Sequence, residues 1–167
     1  DQEPPINLYI VNDSNLAVTI KGHIGDISIT TLDGDITLAN QIFSTGTVEL
    51  VATGGQIILG HNLDDYDLQA NILTVETKGP VANTNNILKT QITQLNFSSG
   101  GEIHIENTGD IELTQTNKSD PSSLAGTVNI STTGSITISN AVGITNGDLI
   151  LHATENILVN AAVTTAG

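Results

Sequence analysis

The chain has no cysteine, methionine, tryptophan or arginine, and its aromatics are limited to Phe43, Phe97, Tyr9 and Tyr66. Each absence closes a route. Without cysteine there are no disulfides and no thiolate metal centres, so stability has to come from packing. Four lysines (Lys21, Lys78, Lys89, Lys118) stand against eighteen acids, a formal charge of −14. Such a surface repels phosphate backbones and anionic membranes, which excludes nucleic acid as a partner. No apolar run approaches the roughly 20 residues that a membrane-spanning helix needs, and no basic-then-apolar leader opens the sequence.

Aliphatic side chains fill the place of the missing aromatics, led by twenty-two isoleucines. Asn, Thr, Ser and Gly supply most of the polar remainder and helix formers are scarce, a bias toward strands and turns. At 167 residues a single domain is expected.

The sequence is organised by a repeat. A unit of the form Gly, polar, aliphatic, any, aliphatic starts at Gly25, Gly34, Gly46 and Gly55, as in Gly34-Asp35-Ile36-Thr37-Leu38 and Gly46-Thr47-Val48-Glu49-Leu50. It returns at Gly101, Gly109, Gly126, Gly134 and Gly147, with a glycine-less copy at Asn156-Ile157-Leu158-Val159. Starts alternate short and long, but every second copy is in register: 25 to 46, 34 to 55 and 126 to 147 are each 21 residues, while 101 to 126 and 109 to 134 are each 25. Each period therefore holds two such strands. A weaker third element follows them at Asn40-Gln41-Ile42, Asn140-Ala141-Val142 and Ala161-Ala162-Val163.

Aliphatics two apart share one face of a strand, so each unit is a half-buried strand too short to bury that face alone. A chain that coils once per period solves this by stacking Val48 on Ile27 and Ile57 on Ile36. The fold class expected is all-β: a right-handed parallel β-helix (β-solenoid) of about 21 residues per coil and six to seven coils. The glycines are expected at corners that need positive φ.

Residues 1–167 then form one domain. Residues 1–21 are expected as an irregular first coil or cap, and 78–91 and 115–123 as loop excursions. Register is lost between Gly60 and Gly100. The tail Val163–Gly167 stops where another strand is due, so the sequence reads as a fragment of a longer repeat protein.

The units from Gly34 through Leu50, and the stretch Asn156 to Gly167, resemble repeats of filamentous-haemagglutinin-type exoproteins and related large bacterial adhesins. That resemblance implies export through the outer membrane with a secretion partner, localisation outside the cell or on the bacterial surface, and roles in adhesion, biofilm or cell-cell contact. The Asn-Pro-Asn motif of that family's secretion domain is absent, so the chain is either a shaft segment or similar only in the shared solenoid architecture.

Parallel β-helices also host polysaccharide lyases and hydrolases, which need a basic residue beside acidic metal ligands, or paired carboxylates. Arginine is absent. Continuing the two columns of units gives outward rows Ser28, Glu49, His104, Asn129, Ile150 and Thr37, Ile58, Glu112, Thr137, Leu158, in which Glu49, His104 and Glu112 alone titrate. No catalytic residue and no cofactor are assigned on this basis. His23, His61 and His152 lack ligand spacing. Asn62, Asp64, Asp65 and Asp67 around Tyr66 make an oxygen-rich loop able to hold Ca²⁺ weakly, although the spacing is that of neither an EF-hand nor a calcium-binding β-roll. The sequons at Asn96, Asn117 and Asn129 are expected by chance in so Asn- and Thr-rich a chain.

The reading is a non-enzymatic structural and adhesive solenoid: a rigid acidic shaft that presents loops, self-associates through its ends and meets a surface glycan or protein. A carbohydrate-active β-helix is the alternative.

Overall fold

A computed structural model describes residues 6–21, 25–60, 66–115 and 126–165. All its regular structure is strand. In chain order the strands are β1 (Leu8–Asn12), β2 (Leu16–Val18), β3 (Ile27–Thr31), β4 (Ile36–Leu38), β5 (Ile42–Phe43), β6 (Thr47–Ala52) and β7 (Ile57–Leu59). Then follow β8 (Leu68–Gln69), β9 (Ile72–Thr77), β10 (Leu88–Gln91), β11 (Gln94–Ser99), β12 (Ile103–Asn107) and β13 (Ile111–Gln115). The last are β14 (Val128–Thr132), β15 (Ile136–Ile138), β16 (Val142–Ile144), β17 (Leu149–Ala153), β18 (Ile157–Val159) and β19 (Val163–Thr165).

Every pairing between these strands is parallel, and each strand pairs with the strand one coil away. The result is a β-solenoid of about seven coils. One face is an eight-stranded sheet, β1-β3-β6-β9-β11-β13-β15-β18. Its inward column runs Leu8, Ile27, Val48, Leu73, Leu95, Leu113, Ile138, Val159. From these partners the coils measure 19, 21, 25, 22, 18, 25 and 21 residues. Strict alternation of buried and part-exposed residues along β3, β6, β9 and β11 puts these aliphatics in a single core.

In the early coils the two other faces are short strands: β2-β4-β7 on the second, β5-β8-β10 on the third. Val81 carries the second column onward by bridging Ile57 and Ile103. The third column arrives at the same strand, because Leu88 pairs with Ile105 and Thr90 with Asn107. The two columns thus merge on β12, and β14 and β17 continue the merged sheet.

This merger changes the phase of the repeat. In the first coils the long strands β3 and β6 lie on the first face. In the last coils the long strands β14 and β17 lie on the merged face, the short strands β15 and β18 take the first, and β16 and β19 make a small sheet of their own. The step occurs in the 18-residue coil from Leu95 to Leu113, which holds one strand, β12, between its two visits to the first face. The units at Gly101, Gly126 and Gly147 therefore stack over those at Gly34 and Gly55. The units at Gly109, Gly134 and Asn156 stack over those at Gly25 and Gly46.

The two outward rows expected from sequence are corrected accordingly. Tyr9, Ser28, Glu49, Thr74, Asn96 and Thr114 form one outward column of the first sheet. Thr47, Ile72, Gln94, Glu112, Thr137 and Leu158 form another on the same sheet. His104 stands apart on the merged sheet, beside Asn129 and Ile150.

Two boundaries also differ from the sequence reading. Residues 8–18 form a first coil in register, β1 on β3 and β2 on β4, where an irregular coil or cap was expected. Within 78–91, Val81 and Leu88 are buried and β10 is a core strand. The true excursion is the tight loop closed by reciprocal Asn83–Asn86 backbone bonds. The 115–123 excursion lies outside the described residues from 116 onward.

Candidate functional site

At several corners of the solenoid an Asn or Asp side chain caps the next coil, and in Asp26, Asp35 and Asp110 it is the residue after a unit glycine. Asn7 Oδ1 accepts the Asp26 N–H at 2.9 Å, and Asp26 Oδ1 accepts the Thr47 N–H at 2.8 Å. At the next corner Asn15 Oδ1 accepts from Asp35 N at 2.8 Å and Asp35 Oδ1 from Gln56 N at 3.0 Å. Asp110 Oδ1 receives Ser135 N at 2.8 Å in the same way. Each carboxylate thus caps the coil above it, a charge-assisted bond at a position where the ladder would leave an orphan donor.

The glycines follow from this geometry more than from φ. A Cβ on Gly46 would lie 2.2 Å from Asp26 Oδ1, and one on Gly134 would lie 2.5 Å from Asp110 Oδ1. On Gly55, Gly101 and Gly126 it would meet the backbone of the coil below within 2.6 Å. Among the glycines, positive φ occurs at Gly34, Gly109 and Gly147, so the expectation of positive φ at corners in general is corrected: close approach between coils is the commoner cause.

A second set of residues escaped the sequence reading. The last inward position of most long strands is polar and buried: Thr31, Thr77, Ser99, Asn107 and Thr132. Thr31, Thr77, Ser99 and Asn107 are each followed two or three residues later by a glycine whose carbonyl the side chain reaches, as in Thr31 Oγ1 to Gly34 O and Thr77 Oγ1 to Gly79 O, both 2.7 Å, whereas Thr132 Oγ1 donates to Gly109 O of the coil before and accepts from Gly134 N. Asn107 does most. Its Oδ1 accepts from Thr90 Oγ1 and Ile92 N at 3.0 Å, and its Nδ2 donates to Ile92 O and Gly109 O at 3.2 Å. The available signal was a Thr, Ser or Asn two or three places before a unit glycine, hidden by the abundance of those residues everywhere.

The titratable candidates are not brought together. Glu49 accepts a 2.8 Å bond from Ser28 Oγ and sits three coils from Glu112, about 14 Å along the axis at strand spacing. His104 is buried on the merged sheet, with Nε2 3.0 Å from Glu102 Oε2 and Nδ1 without a partner. His152 is exposed, and His23 and His61 lie outside the described residues.

Of the calcium-loop candidates, Asn62, Asp64 and Asp65 also lie outside the described residues. Asp67 is buried, and its carboxylate accepts the Lys89 N–H at 2.7 Å, the same coil-capping role that Asp26 and Asp35 play. Among the described residues no group of three or more His, Asp or Glu side chains is arranged to hold a metal ion.

A groove of about 650 Å³ lies along the corner where the third column turns into the first sheet. It crosses four successive coils, through Thr45, then Gln69 and Asn71, then Gln91 and Thr93, then Thr108 to Asp110. Gln69 and Gln91 are register partners one coil apart, and its lining carries no cationic side chain. No protein-family model, curated protein or solved structure matches the chain.

Proposed function

We propose that this chain is a structural and adhesive shaft, a length of rigid acidic solenoid that holds corners and loops at fixed spacing outside a bacterial cell. One observation supports this most: the eight-stranded sheet runs unbroken from β1 to β18, and its corners are clamped coil to coil by side-chain caps. Side chains at equivalent positions therefore repeat at about 4.8 Å with little freedom, which suits multivalent, low-entropy-cost contact with a surface better than it suits a flexible linker. The resemblance to filamentous-haemagglutinin-type repeats agrees with this reading, and with export by an outer-membrane partner.

The test is attachment under flow. Inert beads coated with the chain should be retained on bacterial biofilm or on glycan-coated surfaces well above bare beads, and polysaccharides incubated with the chain should keep their length. Retention equal to bare beads, together with release of reducing ends or unsaturated products, would replace the adhesive reading with a carbohydrate-active one.

A further inference from the structure

We propose that the corner groove binds a neutral oligosaccharide laid parallel to the solenoid axis. The proposal deepens the adhesive reading by naming a contact site and the ligand chemistry it takes. Three features of the groove carry it.

The first is unspent hydrogen-bonding capacity on a rigid floor. Elsewhere in the molecule the side-chain amides of Gln56 and Gln94 are engaged, with Asp35 and Asn96. Gln69 and Gln91 are half-buried, stacked one coil apart, and make no side-chain hydrogen bond among the described residues. Each offers a donor and an acceptor from one planar group. A sugar hydroxyl is also both donor and acceptor, so vicinal hydroxyls match this pair, and the step of about 4.8 Å between coils is close to the length one pyranose adds to an extended chain.

The second is charge. The lining holds one carboxylate, Asp110, and no lysine, on a chain of net charge −14. Uronic acids, phosphates and sulfates are disfavoured, and the rest of the polar lining is neutral amide and hydroxyl.

The third is shape. The volume, about 650 Å³, falls within the range of roughly 300–1,000 Å³ usual for small-ligand sites. The groove is open along its length, and at its far end a Cβ on Gly109 would meet nothing within 4 Å.

The experiment is calorimetric titration of the whole chain with neutral cello-, manno- and xylo-oligosaccharides, with oligogalacturonate and chitosan oligomers as charged comparators. At least one neutral series should bind, with affinity rising with length until the groove is filled. The Gln69→Ala/Gln91→Ala chain should bind about tenfold more weakly, as two lost hydrogen bonds imply, with an unchanged denaturant midpoint. Thr93→Trp should block the groove, and Thr30→Ala, on the first sheet, should leave binding intact. Absence of neutral binding at millimolar ligand, equal binding by the amide variant, preference for a charged series, or cleavage of the ligand would each overturn the proposal. If saccharide binding fails while beads still attach under flow, adhesion stands and the contact lies on another surface.

Discussion

At the scale of single residues, neighbours in sequence carry opposite duties, and two pairs expose this. Ile136 is fully buried between Ile111 and Ile157, while Thr137 faces outward between Glu112 and Leu158. Ile136→Ala should cost roughly 2–5 kcal/mol through lost burial and the cavity left between coils. Thr137→Ala should stay within about 0.5 kcal/mol, and denaturant melts of the two variants give the comparison. Asn107 and Asn129 make the second pair. Truncating Asn107 strands Ile92 N–H, Ile92 O and the Thr90 hydroxyl in the interior, a loss of roughly 2–4 kcal/mol. Asn129→Ala, at an outward position one coil on, should pass almost unnoticed in the same melts.

Glycines divide by mechanism at this scale too. Gly46→Ala collides with the Asp26 carboxylate, so its penalty should shrink when Asp26→Ala is added, a coupling of about 1 kcal/mol in a double-mutant cycle. Gly109→Ala has open space but φ near +94°, so its penalty of about 1–2 kcal/mol is a backbone cost that no neighbouring substitution relieves. Coupling that is absent in the first case would contradict the capping role of Asp26.

At the scale of strands and coils, the period, the inward aliphatics and the third element were legible because each is local. Val48 over Ile27 and Ile57 over Ile36 follow from a 21-residue offset, and the structure has both. The phase change was not legible. The unit at Gly101 looks the same whether it stacks on Gly46 or on Gly55, because both columns use one pattern of glycine, polar residue and alternating aliphatics. Choosing between them requires counting strands through 60–100, where Val81 and Leu88 enter the core singly or in a short strand that carries no glycine.

The groove was out of reach for a related reason. Its residues come from four coils, and their proximity depends on that count. The site candidates read from local composition fared differently: Asp67 serves a backbone N–H, and Glu49, His104 and Glu112 are dispersed by the merger of columns. Local stability should also follow the coils. Amide exchange should be slowest in β6, β9 and β11, which are paired on both sides, and fastest in β1, β18 and β19, because an outer strand can open without disturbing the stack. Uniform protection from β1 to β19 would argue against a coil-by-coil assembly.

At the scale of the whole molecule, seven steps along the first sheet give a rod of about 34 Å at strand spacing, held without disulfides. Inward-facing Ile157, Val159 and Val163 of the last coil are exposed, and among the described residues the β1 edge is unpaired on its outer side. Open parallel edges of this kind are templates for another chain, so this chain should associate end to end. Sedimentation should show association that strengthens with salt, which screens the charge of −14; a monomer at all concentrations and salts would show that the ends are closed.

The repeat turns by one face at β12, and oxidation of paired cysteines tests that most directly. Gln94 and Glu112 are outward register partners on adjacent strands of the first sheet, within the roughly 4.4–6.8 Å between α-carbons that a disulfide spans. The Gln94→Cys/Glu112→Cys chain should form an intramolecular disulfide quantitatively and keep its β-sheet spectrum, whereas Thr74→Cys/His104→Cys, with Thr74 on the first sheet beside Glu49 and His104 on the merged sheet, should stay reduced. If instead the Gln94/Glu112 pair stays reduced in the folded chain and the Thr74/His104 pair closes, Gly101 continues the column of Gly46, the columns do not merge, and the groove assembled from those four coils does not exist.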